Sequence, residues 1–378
     1  MVRSVQHDML PHPTPDELSR QQFIVAFKQQ LNSTLRSTQR QLFDTVIAPH
    51  YERDHGHAPA QRETVREAVM AHPAWRSWSA MHRAAQELMW VAIGDSVFRE
   101  REQLAGTAQA FRDSPTRRGS LDLDAEFVAP RGVTAVDIHL QPGGFALDLG
   151  GGDVSAGALY ECGGNLYAFG QGIGRTDSKA AHVQRFIAER FPQLRPRRIV
   201  DLGCAAGSAS VPYAQAFPDA EVHAVDVGAG MLRYAHARAE ALGATVNFHQ
   251  MDCAHLAFPD SYFDLIVSHN AMHEMSAATR RAMLRETWRL LAPGGVAVHQ
   301  DVPLRFAGRS EFEKFELSWD TKFNNEPFWE VYANADVAAD LRSAGIPEDC
   351  IHVGQLPQSN GSLPWYVAAC WKPTRANT

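Results

Sequence analysis

The sequence predicts an α/β protein: a mostly parallel sheet closed by an antiparallel terminal hairpin, preceded by a helical N-terminal region and a β-rich connector. Three observations carry this. From Ala180 onward, β-like runs alternate with helical segments, the pattern of a parallel sheet with crossover helices. Gly203 and Gly207 punctuate the first strand-to-helix turn of that alternation. The first third instead carries apolar residues at helical spacing.

The chain has 378 residues, 45% hydrophobic and 21% charged, enough to bury a sizeable core in two or three domains. We divide it into residues 1–112 (a helical lid or dimerisation region), 113–175 (a β-rich connector or cap) and 176–378 (the sheet domain). Thr14-Pro15-Asp16-Glu17 is a helix start, with proline and acids placed in the first turn. Phe23, Phe27, Leu31 and Leu35 recur every four residues on one face. Met81, Ala84, Leu88, Ala92 and Val97 mark a second long helix after Pro73. The polar run Asp113–Ser120 breaks this pattern. Beyond it, Val136-Asp137-Ile138-His139-Leu140 alternates like a strand, and Pro142-Gly143-Gly144 reads as a hairpin turn.

In the last two hundred residues the expected strands are 198–202, 221–225, 246–250, 263–268 and 295–300. Residues 231–242 and 278–291 are the clearest helices between them. Two further β-like runs, 351–355 and 365–371, close the sheet as a hairpin.

The strongest local signal is Ile199-Val200-Asp201-Leu202-Gly203-Cys204-Ala205-Ala206-Gly207-Ser208, an apolar strand running into a glycine turn. It lacks the G-x-G-x-x-G spacing of a dinucleotide fingerprint, with Ala205 where a middle glycine would stand, which disfavours a nicotinamide oxidoreductase. Asp226 follows Gly203 by 23 residues, at the end of the second strand, where an acid bonds ribose hydroxyls. Asp252 ends the third strand, and Leu291-Ala292-Pro293-Gly294-Gly295 turns a long helix into the fifth.

Together these residues resemble the class I S-adenosylmethionine-dependent methyltransferases, over about half the chain. The resemblance implies a Rossmann-like sheet on which Asp201, Gly203 and Gly207 cradle the methionine part of S-adenosylmethionine. It places Asp226 on the ribose, Val227 against adenine and Asp252 at the adenine edge. Cys253 and Ser268 complete the expected cofactor set. Residues 1–175 resemble nothing we recognise.

The fourth strand ends Ser268-His269-Asn270-Ala271-Met272-His273-Glu274-Met275. The acid-or-asparagine-Pro-Pro-aromatic motif of nucleic-acid amino-methylating relatives is absent here. His273-Glu274 instead resembles the His-Asp step of small-molecule O-methyltransferases, which implies a general base at His273, with His269 as the lesser candidate. Asp301 or Gln300 would orient that imidazole, because Glu274 cannot share its helical face. A packing role for His273 remains the competing reading. The aromatic stretch Phe312, Phe315, Trp319, Phe323, Phe328, Trp329 and Tyr332 is core, interface or substrate wall, with Asn324-Asn325-Glu326 as polar contacts within it.

The expected reaction is methyl transfer to a small-molecule oxygen; transfer to nitrogen or carbon, or an inactive binding subunit of the same fold, are the alternatives. A net charge of −7 supplies no basic footprint for nucleic acid or membrane. No run approaches the ~20 apolar residues that cross a bilayer, and MVRSVQHDMLPHPTP has no secretory h-region. Five cysteines without a CxxC pair read as reduced thiols, so the protein is expected to be cytoplasmic. A homodimer is compatible with the helical region. No metal is expected, since the histidine spacing shows no ligand motif, and HEMSA at 273–277 lacks the second histidine of a zinc-protease helix.

Overall fold

The computed structural model describes residues 5–167, 179–358 and 363–374. The expected boundary at 175/176 lies outside them. Eight strands form one sheet in the order β1-β4-β3-β2-β5-β6-β8-β7. They are β1 (Ser120–Asp122), β2 (Arg198–Leu202), β3 (Glu221–Asp226), β4 (Asn247–Gln250), β5 (Phe263–His269), β6 (Leu291–Asp301), β7 (Ile351–Leu356) and β8 (Trp365–Trp371). β1 to β6 pair in parallel, while β8 runs antiparallel to both β6 and β7. The central strands are buried on both faces, as apolar runs without alternation require.

β6 begins four residues earlier than the glycines suggest. Leu291 already pairs with Phe263, and a register shift between Phe263 and Leu265 absorbs the Pro293-Gly294 segment before Val296 resumes the ladder. Such a bulge lets a strand carry residues that do not fit the regular register.

The N-terminal region is helical. Thr14 caps the helix Pro15–Gln30 with a reciprocal box: its hydroxyl accepts from Glu17 N–H, and the Glu17 carboxylate accepts from Thr14 N–H. The helix Pro73–Arg99 is the long one expected after Pro73, but its inward face differs. Trp75, Trp78, Ala85, Met89, Ile93 and Val97 are buried, whereas Met81 and Leu88 are exposed. The tryptophans, bulkier than Met81 or Leu88, take the interior because Phe315 and Trp319 of the later aromatic stretch pack on them.

The β-rich connector is a misreading. Between 113 and 167 the only strand among the described residues is β1, and this one joins the outer edge of the sheet beside β4. The Val136–Leu140 alternation forms a short helical turn with Ile138 inside and His139 and Leu140 at φ 57° and 60°. Tertiary hydrogen bonds override the local pattern there: Trp90 Nε1 and Gln86 Nε2 donate to the His139 carbonyl at 2.7 and 3.0 Å. No hairpin follows Gly143 and Gly144. Ser155–Tyr167 is a helix. It wedges between Pro73–Arg99 and Ala229–Ala241 because Gly157 and Gly163 face Tyr234 and Trp90, where an added Cβ would lie 2.3 and 2.5 Å from those side chains.

A buried ion pair secures this wedge. Glu161 accepts from Arg238 Nε and from the Tyr234 hydroxyl, each at 2.9 Å, and meets His7 Nε2 at 3.1 Å. Burial opposes the Glu161 charge, yet Arg238 and His7 hold its carboxyl below the ordinary range. No helix among the described residues is long and apolar enough to cross a membrane.

Candidate active site

Ligands of open α/β sheets bind beyond the carboxyl ends of the strands, and here those ends carry the motif residues. Asp201, in β2, is 1% exposed. Its Oδ2 accepts from Ser210 Oγ at 2.7 Å, while Oδ1 has no hydrogen-bond partner among the described residues. Burial pushes its carboxyl up to about 7, against the pull of Ser210.

The chain then turns through Gly203, Ala205 and Gly207 at φ 71°, 46° and 70°. Glycine adopts that region freely, and a Cβ at Gly203 would approach Ala271 to 3.1 Å. Ala205 adopts it at a cost, secured by its N–H donating to Asp226 Oδ2 at 2.9 Å. Asp226 Oδ1 accepts from Gly228 N–H at 3.0 Å. One carboxylate therefore ties the turn after β2 to the turn after β3. Burial raises its pKa, and these backbone donors oppose the rise.

Gln250 holds the Val227 carbonyl at 3.0 Å. Asp252 caps a turn through Ala254 N–H at 2.9 Å, and Cys253 is buried against Met275. The donor set fits S-adenosylmethionine. A desolvated carboxylate with an orphaned oxygen suits the cofactor ammonium, and two further acids close successive strands. Ser268 does not belong to this set. It is fully buried on the other face of β5, 2.8 Å from His299 Nδ1, because side chains alternate along a strand.

The histidines at and beyond the end of β5 separate into two roles. His269 is locked between Tyr213 and Gln300 at 3.1 and 3.2 Å, and burial pushes its pKa down to about 3. Gln300 therefore orients His269. His273 Nδ1 stands 2.6 Å from Asp301 Oδ1, and its Nε2 faces Glu274 Oε1 at 3.3 Å. Burial opposes its charge, but Asp301 and Glu274 together raise it to about 10. The short helical turn Met272–Glu274 brings Glu274 alongside, contrary to the helical-face expectation.

The row continues into the N-terminal part of the chain. His139 Nε2 lies 2.8 Å from Glu274 Oε1, and its Nδ1 lies 2.9 Å from Glu326 Oε1. Trp329 and Tyr332 flank the His273 ring at 5.4 and 6.1 Å, while Phe145 and Tyr167 flank His139 at 6.1 and 5.9 Å. Tyr160 packs edge-on against Phe145 at 5.9 Å, and after burial the carboxylates of Glu274, Asp226 and Asp201 raise its pKa. The aromatic stretch thus divides, with Phe312, Phe315 and Trp319 in a core with the N-terminal helices and Trp329 and Tyr332 at the site. His139 and Tyr160 escaped the sequence reading as site residues, since nothing local marks a residue whose partner lies over a hundred positions away, whereas Glu326 was read there as a polar contact of the aromatic stretch. An open cleft of about 900 Å³, bordered by Arg62, Arg305 and Asp336 among others, includes none of these residues.

A family model described as a methyltransferase domain matches residues 199–295. The chain is 30% identical over 202 residues to a trans-aconitate 2-methyltransferase of Deinococcus radiodurans, covering 50% of this chain and 74% of that protein. The chain belongs to the class I S-adenosylmethionine-dependent methyltransferases. A demethylmenaquinone methyltransferase of Thermus thermophilus is 36% identical over 29% of this chain and 48% of its own length. For phosphoethanolamine N-methyltransferase 1 of Arabidopsis thaliana the figures are 29%, 35% and 26%. The chain thus spans half or less of those last two relatives. For this family member the matched core is the cofactor half, while His139 lies upstream of the matched model.

Proposed function

We propose that this protein transfers the methyl group of S-adenosylmethionine to an oxygen of a small molecule held under the N-terminal helices. The observation that carries the reading is the row Asp301–His273–Glu274–His139–Glu326, set beside the glycine turn at the ends of β5 and β6. Asp201, Gly203 and Gly207 hold the methionine part of the cofactor, Asp226 its ribose and Asp252 its adenine. When bound, the cofactor supplies an electrophilic methyl on a positive sulfur.

His273 does not fit a free general base. A base must hold an open lone pair near working pH, whereas this imidazole is charged up to about pH 10 and faces Glu274. His139 is held charged too: burial opposes it, and Glu326 and Glu274 prevail. Neither imidazole, with its ring nitrogens facing carboxylates, takes a proton from the acceptor. The reading is therefore of an acceptor oxygen ionised before transfer, a carboxylate or an acidic hydroxyl, which needs alignment more than deprotonation. Tyr160, Trp329 and Tyr332 exclude water from the transfer path.

Labelled cofactor incubated with a panel of carboxylic acids, phenols and amines tests this. Label should pass to an oxygen acceptor. Transfer confined to amines, or none to any class by a protein that binds cofactor, contradicts the reading.

A further inference from the structure

We propose that His139, His273 and Glu274 form a binding site for one divalent transition-metal ion of the zinc type, placed to receive an acceptor oxygen. One ligand atom from each of the three residues lies within 4.8 Å of the others. The Nε2 atoms of both imidazoles lie near the same oxygen, Glu274 Oε1, His139 hydrogen-bonded to it at 2.8 Å and His273 at 3.3 Å. Those separations match the edges of a coordination shell: bonds of ~2.0–2.1 Å put neighbouring ligand atoms roughly 2.9 Å apart at right angles and about 3.3 Å apart at tetrahedral angles.

The surroundings of the three residues follow the same logic. A metal-bound imidazole gives its remaining ring N–H to a carboxylate, which fixes its orientation and raises its basicity. His273 does so, to Asp301 at 2.6 Å, while His139 Nδ1 lies 2.9 Å from Glu326 Oε1 without hydrogen-bond alignment and would turn onto it once the ring is bound. Those carboxylates are anchored in turn. Asp301 accepts from the N–H groups of Met272 and Val302, and Glu326 accepts from Asn324 Nδ2 at 2.8 Å. Asp301 and Glu326 are nearly inaccessible. Three carboxylates face two imidazoles, and although Lys179 offsets part of this charge from the side of Asp301 and Glu274, the rings hold either a proton each or one divalent ion between them.

The backbone supports a dedicated site. His139 sits in the left-handed region at φ 57°, where a non-glycine residue is strained, and donors from Trp90 and Gln86 clamp its carbonyl there. That conformation brings a residue of the connector to one on β5's terminal turn, 134 and 135 positions away. Two imidazoles and one carboxylate suit a borderline ion and leave at least one position open. Of the three ligands, His139 and Glu274 keep some exposure, 23% and 16% of their side chains, so the open position faces outward between them. For the acceptor this deepens the methyl-transfer reading and rests on it, but ion binding itself does not.

The test uses the full chain, stripped with chelator and titrated with Co²⁺, whose visible absorption reports four- or five-coordination, and then with Zn²⁺ by calorimetry. One ion per chain should bind tightly. His139→Gln should lower the affinity at least 100-fold, and Glu326→Gln, which touches no ion, about 10- to 100-fold. Each variant is checked for fold by circular dichroism and by S-adenosylmethionine affinity, which should stay within twofold. If His139→Gln misfolds, Glu274→Gln replaces it. Wild-type protein that binds Co²⁺ no more tightly than these variants overturns the site. Loss of cofactor binding in wild type would instead overturn the functional reading and leave the ion result standing.

Discussion

Asp201 and His273 both titrate above their ordinary values, burial favouring the neutral acid and two carboxylates favouring the charged imidazole, and each departure has a measurable sign. Asp201 is raised to about 7 by burial. Its carboxylate therefore destabilises the unliganded fold as pH climbs from the unfolded value near 3.8 to about 7, and a bound ammonium offsets that cost. Cofactor affinity measured by calorimetry should consequently strengthen as pH rises through about 7. Asp201→Asn should bind more weakly and lose most of this dependence; an unchanged pH profile in the variant removes Asp201 from the ammonium. His273 is raised from 6.5 to about 10 by Asp301 and Glu274, burial notwithstanding. In metal-free protein its charge contributes stability that is whole below about pH 6.5 and lost as pH rises through about 10. Melting midpoints should fall between pH 8 and 10.5, and fall less in His273→Gln. Turnover at saturating cofactor should show no acid limb near pH 6.5; such a limb, abolished in the variant, would restore the general-base role.

Among the elements, the helix Ser155–Tyr167 joins the two halves of the molecule. It presents Glu161 to Arg238 and Tyr160 to the site, and its glycines admit Tyr234 and Trp90. Arg238→Ala would leave Glu161 charged and buried without its main partner, a loss of about 3–5 kcal/mol for a desolvated pair broken on one side. Urea unfolding should show a clearly lower midpoint; an unchanged midpoint would mean that His7 and Tyr234 suffice. This helix was not legible in the sequence, because its glycines read as strand punctuation and their partners lie some seventy residues away in either direction. β2, β3, β5, β8 and the body of β6 were legible as local apolar runs bounded by their own turn chemistry, and β4 and β7 from their place in the strand–helix alternation. Asp226 and Asp252 stand at or just past the strand ends where the alternation put them. Ser268 was misread, since its side of the strand depends on pleat phase, which a run buried on both faces does not reveal.

At the scale of the whole molecule, the N-terminal region and the sheet share cores. Met89, Trp90 and Ile93 pack in one cluster with Met231, Tyr234 and Ala237, and β1 extends the sheet from upstream. We therefore expect the 1–112, 113–175 and 176–378 segments not to separate cleanly. A chain beginning at Lys179 uncovers that cluster and lacks His139, so it should aggregate or bind cofactor weakly. A soluble, fully active truncation would show that the upstream segments only decorate the domain.

The central claim, that the ends of β2, β3 and β4 hold S-adenosylmethionine while His139 serves the acceptor side, rests most directly on calorimetry of the cofactor with three proteins. Wild type should bind one equivalent. Asp226→Ala should bind on the order of 10- to 100-fold more weakly, the loss of charge-assisted hydrogen bonds worth ~1.5–3 kcal/mol, and His139→Gln should match wild type within twofold. Absent binding in wild type, or unchanged affinity in a folded Asp226→Ala protein, would contradict the account.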